Sequence, residues 1–97
     1  MSLLIEYIHQ YGHNKMGYWN HRVIYKKDKQ TELESFEIYE VYYSKKGKIK
    51  SWTESAVSPF GETKKILKKE LKYFKKALKK PILTEELKGK KIKLVEI

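Results

Sequence analysis

Residues 63 to 81 read TKKILKKELKYFKKALKKP, and the spacing within them decides what the rest of the chain has to supply. Ile66, Leu67, Leu71, Phe74, Ala77 and Leu78 recur at intervals of four, seven and eight residues, which predicts one apolar stripe along an α-helix. Thr63 is suited to cap the start of that helix, and Pro81 forbids its continuation. Such a stripe has to lie on an apolar partner, so the remaining residues are expected to form a sheet.

Two stretches upstream have strand character. From Tyr18 to Lys27 the chain is rich in aromatic and β-branched residues (Trp19, Val23, Ile24, Tyr25) and then enters a polar Lys-Asp-Lys turn. From Ser35 to Ser44 it alternates, with Phe36, Ile38, Glu40 and Tyr42 on one side and Glu37, Tyr39, Val41 and Tyr43 on the other. Large side chains on both sides mark a central strand. Lys45-Lys46-Gly47 makes a tight connection into a third strand carrying Ile49, Ser51 and Thr53 opposite Lys50, Trp52 and Glu54.

Beyond the helix, Thr84 to Lys88 reads as one helical turn closed by Gly89, and Lys91 to Ile97 as a final edge strand. Leu3, Leu4, Ile5 and Ile8, ended by Gly12 and Asn14, predict a short N-terminal helix. The expected fold is therefore α+β. It has a three- to four-stranded antiparallel meander, one long amphipathic helix packed on one face, and the short N-terminal helix. Met16 suggests a boundary, with residues 1 to 15 as an accessory helical segment and residues 16 to 97 as a single domain.

The chain has 97 residues, one domain's worth, and no cysteine, so neither disulfides nor thiolate metal sites are available to it. That fits a reducing, cytoplasmic location. Glu6 and His9 interrupt the apolar start and no basic residues precede it, so neither a signal peptide nor a membrane anchor is expected. The formal charge is +10, a balance that points to nucleic acid or other anionic partners. Of the 22 basic residues only Arg22 is an arginine, which argues against sequence-specific readout through the guanidinium fork.

Nine lysines, Lys64, Lys65, Lys68, Lys69, Lys72, Lys75, Lys76, Lys79 and Lys80, sit on the helix against Glu70 alone. Lys65, Lys68, Lys69, Lys72, Lys75, Lys76 and Lys79 are the candidate contacts for nucleic acid or another polyanion. A solubilising face in a lysine-rich chain is the competing reading. Trp19, Arg22, Tyr39, Glu40, Tyr43 and Trp52 form a second candidate set, a ligand or partner face. Aromatic side chains left uncovered by a single helix predict a homodimer, a protein partner or a bound base. Arg22 and Glu40, on adjacent strands, are expected to pair across the sheet, or Arg22 to hold a phosphate or carboxylate of a small nucleotide between Trp19 and Trp52.

Catalytic and metal chemistry find little support in these residues. His9 and His13 have the i, i+4 spacing of a helical chelate, but Gly12 lies between them and no carboxylate follows at a suitable interval. His21 has Glu40 for an acid and base partner but no nucleophilic serine elbow or cysteine. Gly61 stands alone, without a phosphate-cradling loop. No enzyme activity, metal or cofactor is expected.

Trp19, Arg22-Val23, Glu40-Val41-Tyr42-Tyr43, Gly47-x-Ile49-x-x-Trp52-Thr53, Pro59-x-Gly61-Glu62-Thr63 and Ala77-Leu78-x-Lys80-Pro81-x-Leu83 form an ordered set. The set resembles a group of small, uncharacterised bacterial and phage-associated proteins, over about Trp19 to Leu83. The resemblance implies a shared fold and carries no catalytic residue. The function expected is a non-enzymatic binding module acting through protein or nucleic-acid contacts. The alternative is a phage- or mobile-element-encoded inhibitor of host defence, blocking a nuclease complex or sequestering a nucleotide signal.

Overall fold

A computed structural model describes residues 17 to 97. The accessory segment, the expected N-terminal helix, and His9 and His13 lie outside the described residues. Five strands and one helix follow in order: β1 (Tyr18–Lys27), β2 (Glu34–Tyr43), β3 (Ile49–Trp52), α1 (Lys64–Ala77), β4 (Leu83–Lys88) and β5 (Lys91–Glu96). They form a single sheet with strand order β3-β2-β1-β4-β5.

The expected three- to four-stranded antiparallel sheet is thereby corrected. The first three strands pair antiparallel, but β4 joins β1 in parallel and brings β5 with it, making a five-stranded mixed sheet with a single helix of any length among the described residues. The residues expected to make a helical turn, Thr84 to Lys88, are strand β4. Their helix-favouring glutamates are overridden by the hairpin with β5, in which Leu83 pairs with Glu96 and Lys88 with Lys91. Gly89 turns that hairpin at φ +63, a left-handed conformation that glycine adopts without steric cost.

Register assigns each side chain to a face. Tyr18, Asn20, Arg22, Ile24 and Lys26 of β1 share one face with Tyr43, Val41, Tyr39, Glu37 and Ser35 of β2. Ile24 stands beside Leu83, and Val41 beside Trp52, so β4 and β3 extend the same face. Ile24, Tyr39, Val41, Tyr43, Leu83 and Leu94 are buried together there, with Ile49, Trp52 and Ala56 packed against them.

Among the described residues no helix covers that core. The sheet closes over it by curling. Indole Nε1 of Trp52 on β3 donates to Glu85 Oε2 on β4 at 3.2 Å, although β2 and β1 lie between those strands. Three inter-strand steps span about 14 Å in a flat sheet, so only a pronounced curl brings these side chains together. Lys26 Nζ completes the closure, 3.7 Å from the same Glu85 oxygen and 4.9 Å from the centre of the Tyr39 ring.

The convex face carries α1. Phe74 lies against His21 with ring centroids 4.4 Å apart, and Trp19 meets the other side of that imidazole edge-on at 5.2 Å. Thr63 caps the helix, its hydroxyl accepting from the Ile66 amide at 3.1 Å. Gly61 lets the preceding loop lie on the first turn, since a Cβ there would sit 2.3 Å from the Leu67 amide nitrogen.

The buried side of α1 is rotated from the stripe expected. Glu70, Phe74 and Ala77 are buried, whereas Leu71 is 48% exposed and Leu78 69%. At about 100° per residue, Leu71 and Leu78 fall some 80 to 100° around the helix from Glu70, outside the contact with the sheet.

A lysine face on a single helix

Turning Glu70 inward leaves the outward side of α1 to cations. All nine lysines from Lys64 to Lys80 are exposed. Among the described residues, no carboxylate lies within ion-pair reach of any of them, the ion pairs falling on Arg22, Lys26 and Lys88. Lys65, Lys68, Lys69, Lys72 and Lys76 line a shallow groove of about 500 Å³ together with half-buried Tyr73. Lys76 Nζ sits 5.5 Å from the centre of the Tyr73 ring. Lys75 and Lys79 continue the same face outside the groove.

Four i, i+4 lysine pairs repeat along the element: 64/68, 65/69, 68/72 and 72/76. Like charges at that spacing destabilise a helix by about 0.2 to 0.5 kcal/mol per pair at low salt. Lys75 and Lys76 offset part of this by standing near the negative end of the helix dipole. The helix therefore holds its conformation through Phe74, Ala77 and its cap, against its own surface charge.

The second candidate set does not form one face. Arg22, Tyr39, Tyr43 and Trp52 lie on the concave side, Trp19 and Glu40 on the side under α1. The expected Arg22–Glu40 pair is corrected accordingly: Arg22 stands opposite Tyr39, and Glu40 opposite His21, so the two side chains project from opposite faces. Arg22 is buried and donates from Nη1 to the Tyr43 hydroxyl at 3.0 Å and from Nη2 to the Pro81 carbonyl at 2.8 Å, with Glu96 at 3.9 Å. Tyr43 in turn donates to Asn20 Oδ1 at 2.8 Å. Its guanidinium is thus engaged in tying β1 to β2 and to the start of β4, and it does not lie between Trp19 and Trp52. Tyr39 and Tyr43, 4% and 5% exposed, are core residues with no ring face open to a base.

Sequence reasoning missed a polar layer between α1 and the sheet. His21, Glu40 and Glu70 are all buried there, and the Tyr42 hydroxyl donates to Glu40 Oε1 at 2.7 Å. Burial keeps the His21 imidazole neutral, pulling its pKa from 6.5 down to about 4. Burial also raises the Glu40 carboxyl above its ordinary range; the Tyr42 hydrogen bond works against that and the charge of Glu70 adds to it. Tyr42 is raised by its own burial and by its bond to Glu40. One signal was available: Ile66, Glu70, Phe74 and Ala77 share one helical side, which marks Glu70 as inward if a glutamate is allowed into an apolar stripe.

Among the described residues no group of three or more His, Asp or Glu side chains is arranged to hold a metal, and no helix is long and apolar enough to cross a membrane. Comparison of the chain with family models, with curated proteins and with solved structures returns no match.

Proposed function

We propose that this chain is a non-enzymatic binding module that takes the phosphate backbone of nucleic acid on the lysine face of α1. One observation carries the reading. Seven lysines, Lys64, Lys65, Lys68, Lys69, Lys72, Lys75 and Lys76, are exposed on the outer side of α1 with no carboxylate in ion-pair reach among the described residues, while the only glutamate of that element is buried on its inner side. A face of this kind supplies a strong, sequence-independent attraction to polyanions, and binding would relieve the repulsion among the lysines. A merely solubilising surface gains nothing from concentrating its charge on one helix, because solubility depends on charge spread over the whole molecule.

Salt titration tests the proposal. Affinity for random-sequence DNA should fall steeply between 50 and 200 mM salt, by roughly 10³-fold or more if six phosphates are neutralised. The K68E/K72E/K75E variant should abolish that binding while keeping its fold, because all three side chains are exposed. Affinity that ignores salt, or a variant that binds like the parent, refutes the reading.

A further inference from the structure

The lysines of α1 are divided between two rims, and this division bears on which nucleic acid the face fits. Taking about 100° per residue around the axis, Lys64, Lys68 and Lys75 cluster near one direction and Lys65, Lys69 and Lys76 near another, roughly 100° away. Lys72 lies between them, opposite the buried Glu70. With side chains extended, ammonium groups stand on the order of 8 Å from the axis, which sets the rims roughly 12 Å apart. The major groove of B-form DNA is about 12 Å wide, with a phosphate strand along each edge.

We infer that α1 seats along the major groove of duplex DNA, one lysine rim on each phosphate strand. This deepens the function proposed above and rests on it. Binding is independent of sequence, because α1 presents no arginine, asparagine or glutamine to a base edge. Single strands are poorer partners. They are held by stacking on open aromatic faces, and the one ring on α1 that the lysines surround, Tyr73, is half-buried with Lys76 Nζ 5.5 Å from its centre, while the exposed rings of Tyr18, Phe36 and Phe60 lie off the helix.

Two charge-reversal variants of the full chain separate the rims: K64E/K68E/K75E and K65E/K69E/K76E. Each is compared with the parent for binding to a random-sequence duplex, to one of its strands alone and to phosphatidylserine vesicles, across a salt series. The parent is expected to bind duplex at least tenfold tighter than single strand or vesicle. Either variant should flatten the slope of log K against log salt by about 0.9 for each lysine reversed, and to a similar extent for both rims. Glutamine versions of the same triplets, with helicity checked by circular dichroism, guard against loss of fold. Equal binding of duplex and single strand, equal binding of vesicles, or a slope that responds to one rim only overturns the groove geometry and leaves polyanion binding standing. Absence of any salt-dependent binding removes the proposed function along with it.

Discussion

Replacing His21 by phenylalanine should remove most of the acid sensitivity of this fold. His21 is 4% exposed, with Phe74 against one side of its ring and Trp19 at the other. Its pKa falls from 6.5 in the unfolded chain to about 4 in the native state. Between those values the unfolded chain binds a proton that the native protein does not, so stability rises with pH across the window. The contribution is complete above about 6.5, is lost as pH drops, and has gone by about 4. A shift of that size corresponds to roughly 3 kcal/mol at 1.36 kcal/mol per pH unit. Glu40 acts in the opposite sense. Its raised pKa means that the native state takes up a proton first, which recovers some stability as pH falls through the folded value towards 4.5.

Urea unfolding at pH 7, 6, 5 and 4, followed by the fluorescence of Trp19 and Trp52, measures both effects. The parent should lose about 3 kcal/mol or less over that range, and H21F only the part due to other groups. E40Q should make the parent's acid loss steeper. The positive charge that grows as the exposed carboxylates take up protons is common to all three proteins and cancels in the comparison. H21Q, which cannot titrate but keeps polar atoms, serves if H21F packs badly. An H21F or H21Q protein with the same pH dependence as the parent would refute the assignment of acid sensitivity to this residue.

Phe74→Ala should cost about 3 to 5 kcal/mol by emptying the contact with His21, whereas Leu71→Gln and Leu78→Gln should each stay within about 0.5 kcal/mol because both leucines face solvent; thermal melts of the three separate the observed rotation of α1 from the one the apolar spacing implied. Tyr43→Phe strips Arg22 Nη1 of its acceptor and should cost about 1 to 3 kcal/mol in the same assay. Gly61→Ala forces the loop off the first turn of α1 and should lower the melting temperature, with faster-migrating proteolytic fragments cut near residue 61 as a second readout. Heparin or duplex DNA at low salt should raise the melting temperature of the parent and leave that of K68E/K72E/K75E unchanged.

Elements whose patterns are local were legible in the sequence. The cap Thr63 and the stop near Pro81 bound α1, and the β-branched and aromatic runs mark β1 and β2, because these depend on neighbouring residues only. The segment Leu83–Lys88 was not, since Thr-Glu-Glu-Leu favours a helical turn until β5 pairs with it. A signal was nonetheless present: Leu83, Glu85 and Leu87 alternate up to the two-residue turn at Gly89 and Lys90, and Ile92 and Leu94 alternate away from it. The parallel contact with β1 is short, Ile24 to Leu83 and Tyr25 to Thr84, and nothing local announces it.

The face on which Arg22 falls relative to Glu40 is a question of parity, and parity resides in the loop between β1 and β2. Asp28 Oδ1 accepts from the Gln30 and Thr31 amides, Glu32 takes a positive φ of 58, and the two strands leave the loop with Lys27 opposite Glu34. One residue more or fewer in that turn would invert the pairing and place Arg22 beside Glu40. As the loop stands, His21 faces Glu40 on the side that α1 covers, and Glu70 is buried on the helix above them, where its charge pushes the Glu40 carboxyl up. Which polar groups lie beneath α1 thus follows from a loop register more than thirty residues upstream, which the composition of the helix alone does not reveal.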